Sequence, residues 1–165
     1  MNVVVLALAL TGALAACKKD AATDAAATTA TPGAATNAAA PPPAAVSAAV
    51  AAMSADQLRE AASAALREQR LYAPAGNNAM EYYLALRDKA PNDPAVSSAL
   101  TDLMPYALIA TEQSIGREYF TEAQRLYALM EKTDAQAPAL PRLKQTIAAQ
   151  QQAVAQRAEQ DKLKT

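Results

Sequence analysis

Cys17 is the residue whose chemistry stands out, because it is the only cysteine in a chain of 165 residues that contains no histidine. Without histidine the chain cannot form a Ser-His-Asp or Cys-His catalytic arrangement, and one thiol is too few for a zinc site. Two carboxylate pairs lie close in sequence, Glu112 with Glu118 and Asp88 with Asp93, but no pattern indicates a cleft that would set their separation. We therefore predict no catalytic residues, no metal site and no cofactor.

The segment before Cys17 is typical of a bacterial export signal. Residues 3–16 carry no charge and would span about 21 Å as a helix, which is less than the ~30 Å hydrocarbon core of a bilayer. The segment ends in Leu14-Ala15-Ala16-Cys17, which resembles the lipobox of bacterial lipoproteins. That resemblance implies that the thiol receives a diacylglyceryl group and that the peptide is cut before the cysteine.

The lipoprotein resemblance also bears on localisation. In that group an aspartate after the modified cysteine is similar to an inner-membrane retention signal, whereas this chain has Lys18. The expected place is therefore the outer membrane, with the domain facing the periplasm. Two alternatives remain open, namely a chance cysteine after an ordinary signal peptide and an uncleaved membrane anchor.

Composition divides the chain into a tether and a folded domain. Residues 17–52 are largely alanine, threonine and proline, and such a segment buries too little apolar surface to offset its ordering entropy. Alanine accounts for 46 of the 165 residues, so the bulkier apolar side chains suffice for one modest domain. We predict a signal peptide over residues 1–16, a disordered tether over 17–52, a helical domain over 53–160 and a tail over 161–165. Short helical turns near 44–52 are compatible with this division.

From Ser54 onward, apolar residues recur every three or four positions, which is the period of an amphipathic helix. Ser54 begins a capping box, Asn77 or Asn78 can cap a second helix, and Asp93, followed by proline, can cap a third. Pro105 lies inside the third helix and predicts a kink or a split there. Four or five helices and no strands are expected.

Two of these helices show a spacing similar to the second helix of the tetratricopeptide repeat, in which a small alanine precedes an aromatic residue by four positions. The matching residues are Ala79, Tyr83, Leu86 and Pro91 in the first copy and Ala123 and Tyr127 in the second. The alanine would let neighbouring helices approach closely, and the ring would fill the next gap. We predict an all-α, degenerate TPR-like array of helical hairpins, with an irregular bundle of four or five helices as the alternative.

Tyrosine and arginine supply the candidates for partner recognition. The helical spacing predicts core packing for Tyr83 and Tyr127 and exposed contacts for Tyr82 and Tyr106. The arginines that could line a groove for a partner's carboxylates are Arg67, Arg70 and Arg87. The alternative for these arginines is a solvated helix face with exposed ion pairs.

Residues 70–87 (RLYAPAGNNAMEYYLALR) resemble a block found in some bacterial TonB-type energy transducers. The runs 109–113, 120–127 and 137–143 resemble the same family, and the similarity covers about residues 54–160. In that subgroup a lipobox or anchor and an Ala/Pro linker precede the helical domain, and a small α/β domain that contacts outer-membrane transporters follows it. The implied partners are envelope proteins, including TonB-dependent transport components.

The chain departs from the better-known transducers because its 165 residues include no long proline-rich rod, no histidine and no C-terminal TonB domain. We therefore expect a lipid-anchored periplasmic interaction module of a transducer, or a fragment of one. The alternative is a stand-alone structural or assembly lipoprotein with no role in energised transport.

The net charge of −1 gives no reason to expect nucleic acid as a partner, and the oligomeric state stays open.

Overall fold

The computed structural model describes residues 44–164, which form six helices. They are α1 (Ala48–Ala51), α2 (Ala55–Arg67), α3 (Ala79–Lys89), α4 (Pro94–Gly116), α5 (Phe120–Thr133) and α6 (Ala139–Leu163). No strand occurs within residues 44–164, so the prediction of an all-α domain is confirmed. The signal peptide, the lipobox residues Leu14, Ala15, Ala16 and Cys17, and most of the tether lie outside the described residues.

Three helices begin at the residues that their sequences indicate. At the start of α2, Ser54 Oγ accepts the Gln57 N–H (3.3 Å) and Gln57 Oε1 accepts the Ser54 N–H (2.8 Å), which completes the capping box. Asn78 caps α3, and Asp93 caps α4 with a proline in the first turn. These caps satisfy N–H groups that the first helical turn leaves without a partner.

Pro105 does not split the third predicted helix, because α4 continues through it for 23 residues. A proline cannot donate the backbone hydrogen bond to the residue four positions earlier, here Thr101. Both residues are exposed, so water can reach this part of the helix. The missing hydrogen bond is therefore tolerated. Of the two predicted outcomes, a kink or a split, the continuous helix excludes the split.

The core is one apolar cluster to which all six helices contribute. Along the chain, α2 packs mainly on α3 and α4 mainly on α5, while α3 also contacts α4 and α6 contacts both α4 and α5. Small side chains allow helices to approach closely, and the fully buried alanines of the core include Ala62, Ala79, Ala107 and Ala123. Leucines fill the remaining space; those with almost no exposure include Leu58, Leu84, Leu100, Leu126 and Leu143.

The folded domain begins earlier than the sequence pattern predicts. Val50 on α1 is only 2% exposed, and Val46 packs against the core cluster. Ser47 caps α1 by accepting the Val50 N–H at 3.3 Å. Residues 44–52 therefore belong to the helical domain and not to the tether, because their two valines supply the apolar surface that the rest of the Ala-rich segment lacks. At the other end, α6 extends to Leu163, past the predicted boundary at residue 160.

Candidate functional site

The loop between α2 and α3, residues 68–78, carries most of the candidate site. Its two ends are held side by side, because the Ala79 N–H donates to the Arg70 carbonyl (2.8 Å) and the Met80 N–H donates to the Leu71 carbonyl (3.0 Å). The turn between them depends on Gly76, whose φ of +75° lies in the left-handed region that favours glycine. The loop is thus a closed, hydrogen-bonded structure on the domain surface.

A buried carboxylate on α3 binds this loop. Glu81 is 2% exposed, and its Oε1 accepts the Gly76 N–H at 2.8 Å and the side-chain amide of Asn78 at 2.7 Å. Its Oε2 accepts the backbone N–H of Ser47 at 3.2 Å, just before α1. One side chain therefore joins three segments: the segment before α1, the loop and α3.

A buried guanidinium on α5 completes the network. Arg125 is 8% exposed; its Nη1 lies 3.5 Å from Glu81 Oε1, and its Nη2 donates to the Tyr72 carbonyl at 2.8 Å. Arg125 also forms a bidentate pair with Glu122 at 2.6 and 2.7 Å. Within residues 44–164, every buried side-chain nitrogen and oxygen has a hydrogen-bond partner, and the groups of this network satisfy one another. Its role is to position the loop.

The loop forms one wall of a surface groove. The groove has a volume of about 510 Å³ and is lined by Leu66, Gln69, Leu71, Tyr72, Ala73 and Tyr106. We call it the aromatic groove. Tyr106 on α4 is 52% exposed and Leu66 at the end of α2 is 38% exposed. Ile109, one turn further along α4 than Tyr106, is 53% exposed, so the apolar surface continues beyond the groove.

The structure confirms one of the two exposed tyrosines predicted from the sequence and corrects the other. Tyr106 is exposed in the aromatic groove, as expected. Tyr82 is only 7% exposed, and its hydroxyl donates to Asn77 Oδ1 at 2.7 Å. The prediction for Tyr82 was wrong because this residue is buried and its hydroxyl binds the α2–α3 loop instead of facing solvent.

Tyr83 and Tyr127 are half-buried and pack against the edge of the core cluster. Burial raises the pKa of both phenols above the ordinary value of 10.0. For Tyr127, the hydrogen bond to Glu131 (3.1 Å) and the negative charge of that residue raise the pKa further. These tyrosines therefore act mainly in packing, at the border between core and solvent.

The other residues of the predicted repeat spacing differ in burial. Ala79, Leu86 and Ala123 are buried, with exposures of 0%, 1% and 0%. Pro91 is exposed and lies just after the end of α3. The two alanines and the leucine are therefore buried in the core cluster, whereas the proline only follows the helix end.

Two of the three candidate recognition arginines bind groups within the domain. Arg70 donates to the Asn77 carbonyl (2.7 Å) and to Glu68 (2.8 Å), and so stabilises the loop. Arg87 donates to the carbonyls of Thr133 (2.9 Å) and Lys132, near the end of α5. Arg67 is exposed at the end of α2. Arg70 and Arg87 are therefore engaged in structural contacts, which leaves Arg67 as the candidate for a partner's carboxylate.

The carboxylates considered for acid–base chemistry each have a separate role. Glu112 pairs with Arg142 (2.6 Å), Glu118 with Arg157 (2.5 Å) and Asp88 with Lys132 (2.8 Å), while Asp93 caps α4. Residues 44–164 contain no group of three or more His, Cys, Asp or Glu residues able to hold a metal ion. Over the same range, no helix is long and apolar enough to cross a bilayer.

Comparisons with protein-family models, curated proteins and solved structures find no match to this chain. The functional interpretation therefore depends on the sequence pattern of the first 17 residues and on the surface of the helical domain.

Proposed function

We propose that the chain is a lipid-anchored protein-interaction module that faces the periplasm and binds partner proteins of the bacterial envelope. The aromatic groove is the observation that carries this proposal. It places Tyr72, Tyr106 and Leu66 around one concave surface, and aromatic side chains in such surfaces often dominate the energy of protein binding. The lipobox resemblance that ends at Cys17 supplies the membrane attachment.

The hydrogen bonds that fix the groove loop favour a role of the groove in binding. Arg125 fixes the Tyr72 carbonyl, and Glu81 fixes the turn at Gly76. A wall held in this way loses little conformational freedom when a partner binds, which lowers the entropic cost of association. The groove lining contains no charged residue and combines apolar side chains with Gln69, so the partner surface that suits it is uncharged.

The finer architecture that we propose is a degenerate TPR-like array. The α2–α3 and α4–α5 pairs pack as successive hairpins, and the buried Ala79 and Ala123 occupy corresponding positions in the second helix of each pair. An irregular bundle remains the alternative. It is favoured by the length of α6, whose buried residues Leu140, Leu143 and Ile147 all lie in its first half.

The family that we propose is the lipoprotein subgroup of TonB-type energy transducers, on the resemblance of residues 70–87 and the later runs. The partners would then be envelope proteins, including TonB-dependent transport components. The alternative is a stand-alone structural or assembly lipoprotein. A crosslinked partner that is an outer-membrane transporter would support the first, whereas a structural envelope protein would support the second.

Lipid attachment is tested by replacing the modified residue. The full chain, expressed in a Gram-negative host, should yield a product that begins at Cys17 and carries acyl chains, as measured by mass spectrometry of the envelope fraction. Cys17→Ala should yield an unprocessed precursor without acyl chains, and Lys18→Ala is the control that keeps the cysteine. Identical processing of the wild type and Cys17→Ala would refute the lipobox.

Partner binding is tested by crosslinking from the groove. A photoreactive phenylalanine analogue replaces Tyr106 in the full chain, and in a second protein it replaces Tyr119, which is 62% exposed but is not part of the groove lining. Crosslinks to envelope proteins should form from position 106 and be weaker from position 119. Equal crosslinking from both positions, or none from position 106, would contradict the groove as the binding surface.

A further inference from the structure

The described chain begins with a small element that is weakly attached to the rest of the domain. Helix α1 has four residues, of which only Val50 is buried. An isolated helix of this length is not stable in water, because nucleation is unfavourable and few hydrogen bonds follow it. Helix α1 therefore keeps its structure only while it is docked on the domain, mainly against α3.

Besides the half-buried Ala45, Val46 and Met53, which pack against the edge of the core cluster, two interactions hold this element in place. The first is the insertion of Val50 into the core cluster, where it is 2% exposed. The second is the hydrogen bond from the Ser47 N–H to Glu81 Oε2, which spans 34 positions of sequence. Elements with few buried side chains open locally at a lower free energy than the whole domain unfolds. We therefore expect residues 44–53, which comprise α1 and its flanking residues, to detach from the domain before any other segment unfolds.

The residue that receives the Ser47 hydrogen bond also binds the loop that forms one wall of the aromatic groove. Through Oε1, Glu81 holds the loop at Gly76 and Asn78, and it faces the Arg125 guanidinium that binds the Tyr72 carbonyl. When Ser47 leaves, one carboxylate oxygen of Glu81 loses its protein partner and becomes open to water. The carboxylate has then lost one of the contacts that fix its orientation, and the loop is attached to its other oxygen.

We propose that α1 is a detachable latch that couples the membrane-anchored side of the chain to the aromatic groove. With α1 docked, Glu81 and Arg125 hold Tyr72 and the groove is formed. With α1 detached, the loop loosens and the Tyr72 wall of the groove is lost. Because α1 is the first helix after Cys17 within the described residues, tension in the chain from a lipid anchor acts on this helix before any other.

The latch rests on the proposed function for its purpose, since it regulates the same groove that binds the partner. In the docked state Ser47 and Val50 contact the domain, and in the detached state they do not. A switch between two states requires such a difference in contacts. A partner that needs the formed groove binds the docked state, and so binding would strengthen the docking of α1 in return.

Hydrogen exchange on the full chain tests the coupling without any partner. In Val50→Ala the docking is weakened, and we expect exchange of the Gly76 amide, which is bonded to Glu81, to accelerate by about tenfold. Amides in the middle of α5, such as that of Leu129, should keep their rates. Val154→Ala on α6 is the matched control, since this valine is only half-buried and lies far along the chain from the latch; it should leave the Gly76 rate unchanged.

Two outcomes would overturn the latch. An unchanged Gly76 rate in Val50→Ala would show that α1 and the loop are not coupled, and equal acceleration of Gly76 and Leu129 would show general destabilisation. The crosslinking from position 106 described above does not depend on these rates. If the Gly76 rate does not change but position 106 still crosslinks, the latch alone is refuted. If the Gly76 rate changes but position 106 does not crosslink, the proposed binding surface alone is refuted.

A mechanical measurement on the unsubstituted chain covers the case in which Val50→Ala does not fold. Cys17 is the only thiol in the chain, so in protein produced without lipid attachment it provides a specific attachment point for a handle, with a second handle at the C-terminus. Pulling should release α1 in a reversible step before the domain unfolds. The step is at most about 35 Å, the extended length of residues 44–53, because the docked segment already spans part of that length. Unfolding in one step, with no earlier extension, would contradict the latch.

Discussion

Nη1 of Arg125 lies 3.5 Å from Oε1 of Glu81, in a buried ion pair that joins residues 44 positions apart. Their side chains are 9% and 3% exposed, so both charges are largely removed from water. Such a pair is tolerated because further hydrogen bonds satisfy each group: Gly76 and Asn78 on the carboxylate, and the Tyr72 carbonyl on the guanidinium. The pair therefore links α3, α5 and the groove loop.

Removing one partner of this pair should be costly. Arg125→Met leaves the Glu81 carboxylate buried without its cation, and we expect a loss of about 3–5 kcal/mol in the free energy of unfolding. Urea denaturation followed by circular dichroism measures it. The control is Arg142→Met, whose pair with Glu112 is exposed on both sides and should cost less than about 1 kcal/mol. Equal losses in the two variants would show that Arg125 is not a buried structural residue.

Replacing either of two glycines by alanine should change the free energy of unfolding in opposite directions. Gly76 has a φ of +75°, so Gly76→Ala should destabilise by about 1–2 kcal/mol through backbone strain. The added Cβ itself would have room, since its nearest neighbour is Ser47 Oγ at 3.5 Å.

Gly116 is the matched control for that substitution, because it ends α4 and a Cβ there would meet nothing within 4 Å. Gly116→Ala should be neutral or stabilise by up to about 1 kcal/mol, since alanine loses less backbone freedom on folding than glycine. Thermal unfolding of both variants measures the difference. A neutral Gly76→Ala would mean that the loop does not need the left-handed conformation.

The helix starts could be predicted because they depend on neighbours in sequence. Ser54 and Gln57 cap α2 from within one turn, and Asn78 and Asp93 act over three residues or fewer. The class of fold follows from the same local information, since the period of the apolar residues already requires helices.

The candidate site could not be predicted in the same way, because its contacts join distant parts of the chain. The Arg125 bond to the Tyr72 carbonyl spans 53 positions, and that from Ser47 to Glu81 spans 34. Nothing in the local pattern distinguishes Glu81 or Arg125 from the other charged residues of their helices. The predicted tether includes Val50 for a related reason, since two valines among alanines do not show where they will pack.

Tyr82 and Tyr83 provide a direct test of which neighbouring ring is in the core. Tyr82→Ala should cost about 3–5 kcal/mol, because this ring is 7% exposed and its hydroxyl is hydrogen-bonded to Asn77. Tyr83→Ala should cost less, about 1–2 kcal/mol, because the ring is only half-buried. The conservative Tyr82→Phe removes the 2.7 Å hydrogen bond alone and should cost about 1 kcal/mol. The reverse order of the two alanine variants in urea denaturation would contradict this placement.

The raised pKa of Tyr127 makes stability depend on alkaline pH. The pKa is raised first by burial and then by the hydrogen bond and the charge of Glu131, whereas the phenol of the unfolded chain keeps the ordinary value of 10.0. The unfolded state therefore loses the proton first as the pH rises. The contribution of this group to stability is complete below pH 10.0 and is lost as the pH rises through the folded pKa.

Glu131→Gln separates the two causes of this shift. The substitution removes the negative charge beside the phenol, so the pKa of Tyr127 should fall while remaining above 10.0, because burial still disfavours the phenolate. Tyr83, whose pKa is raised by burial and not by Glu131, should titrate as in the wild type and is the internal control. Titration of the assigned ring resonances by NMR measures both groups. An unchanged pKa of Tyr127 in Glu131→Gln would show that the 3.1 Å contact with Glu131 does not persist in solution.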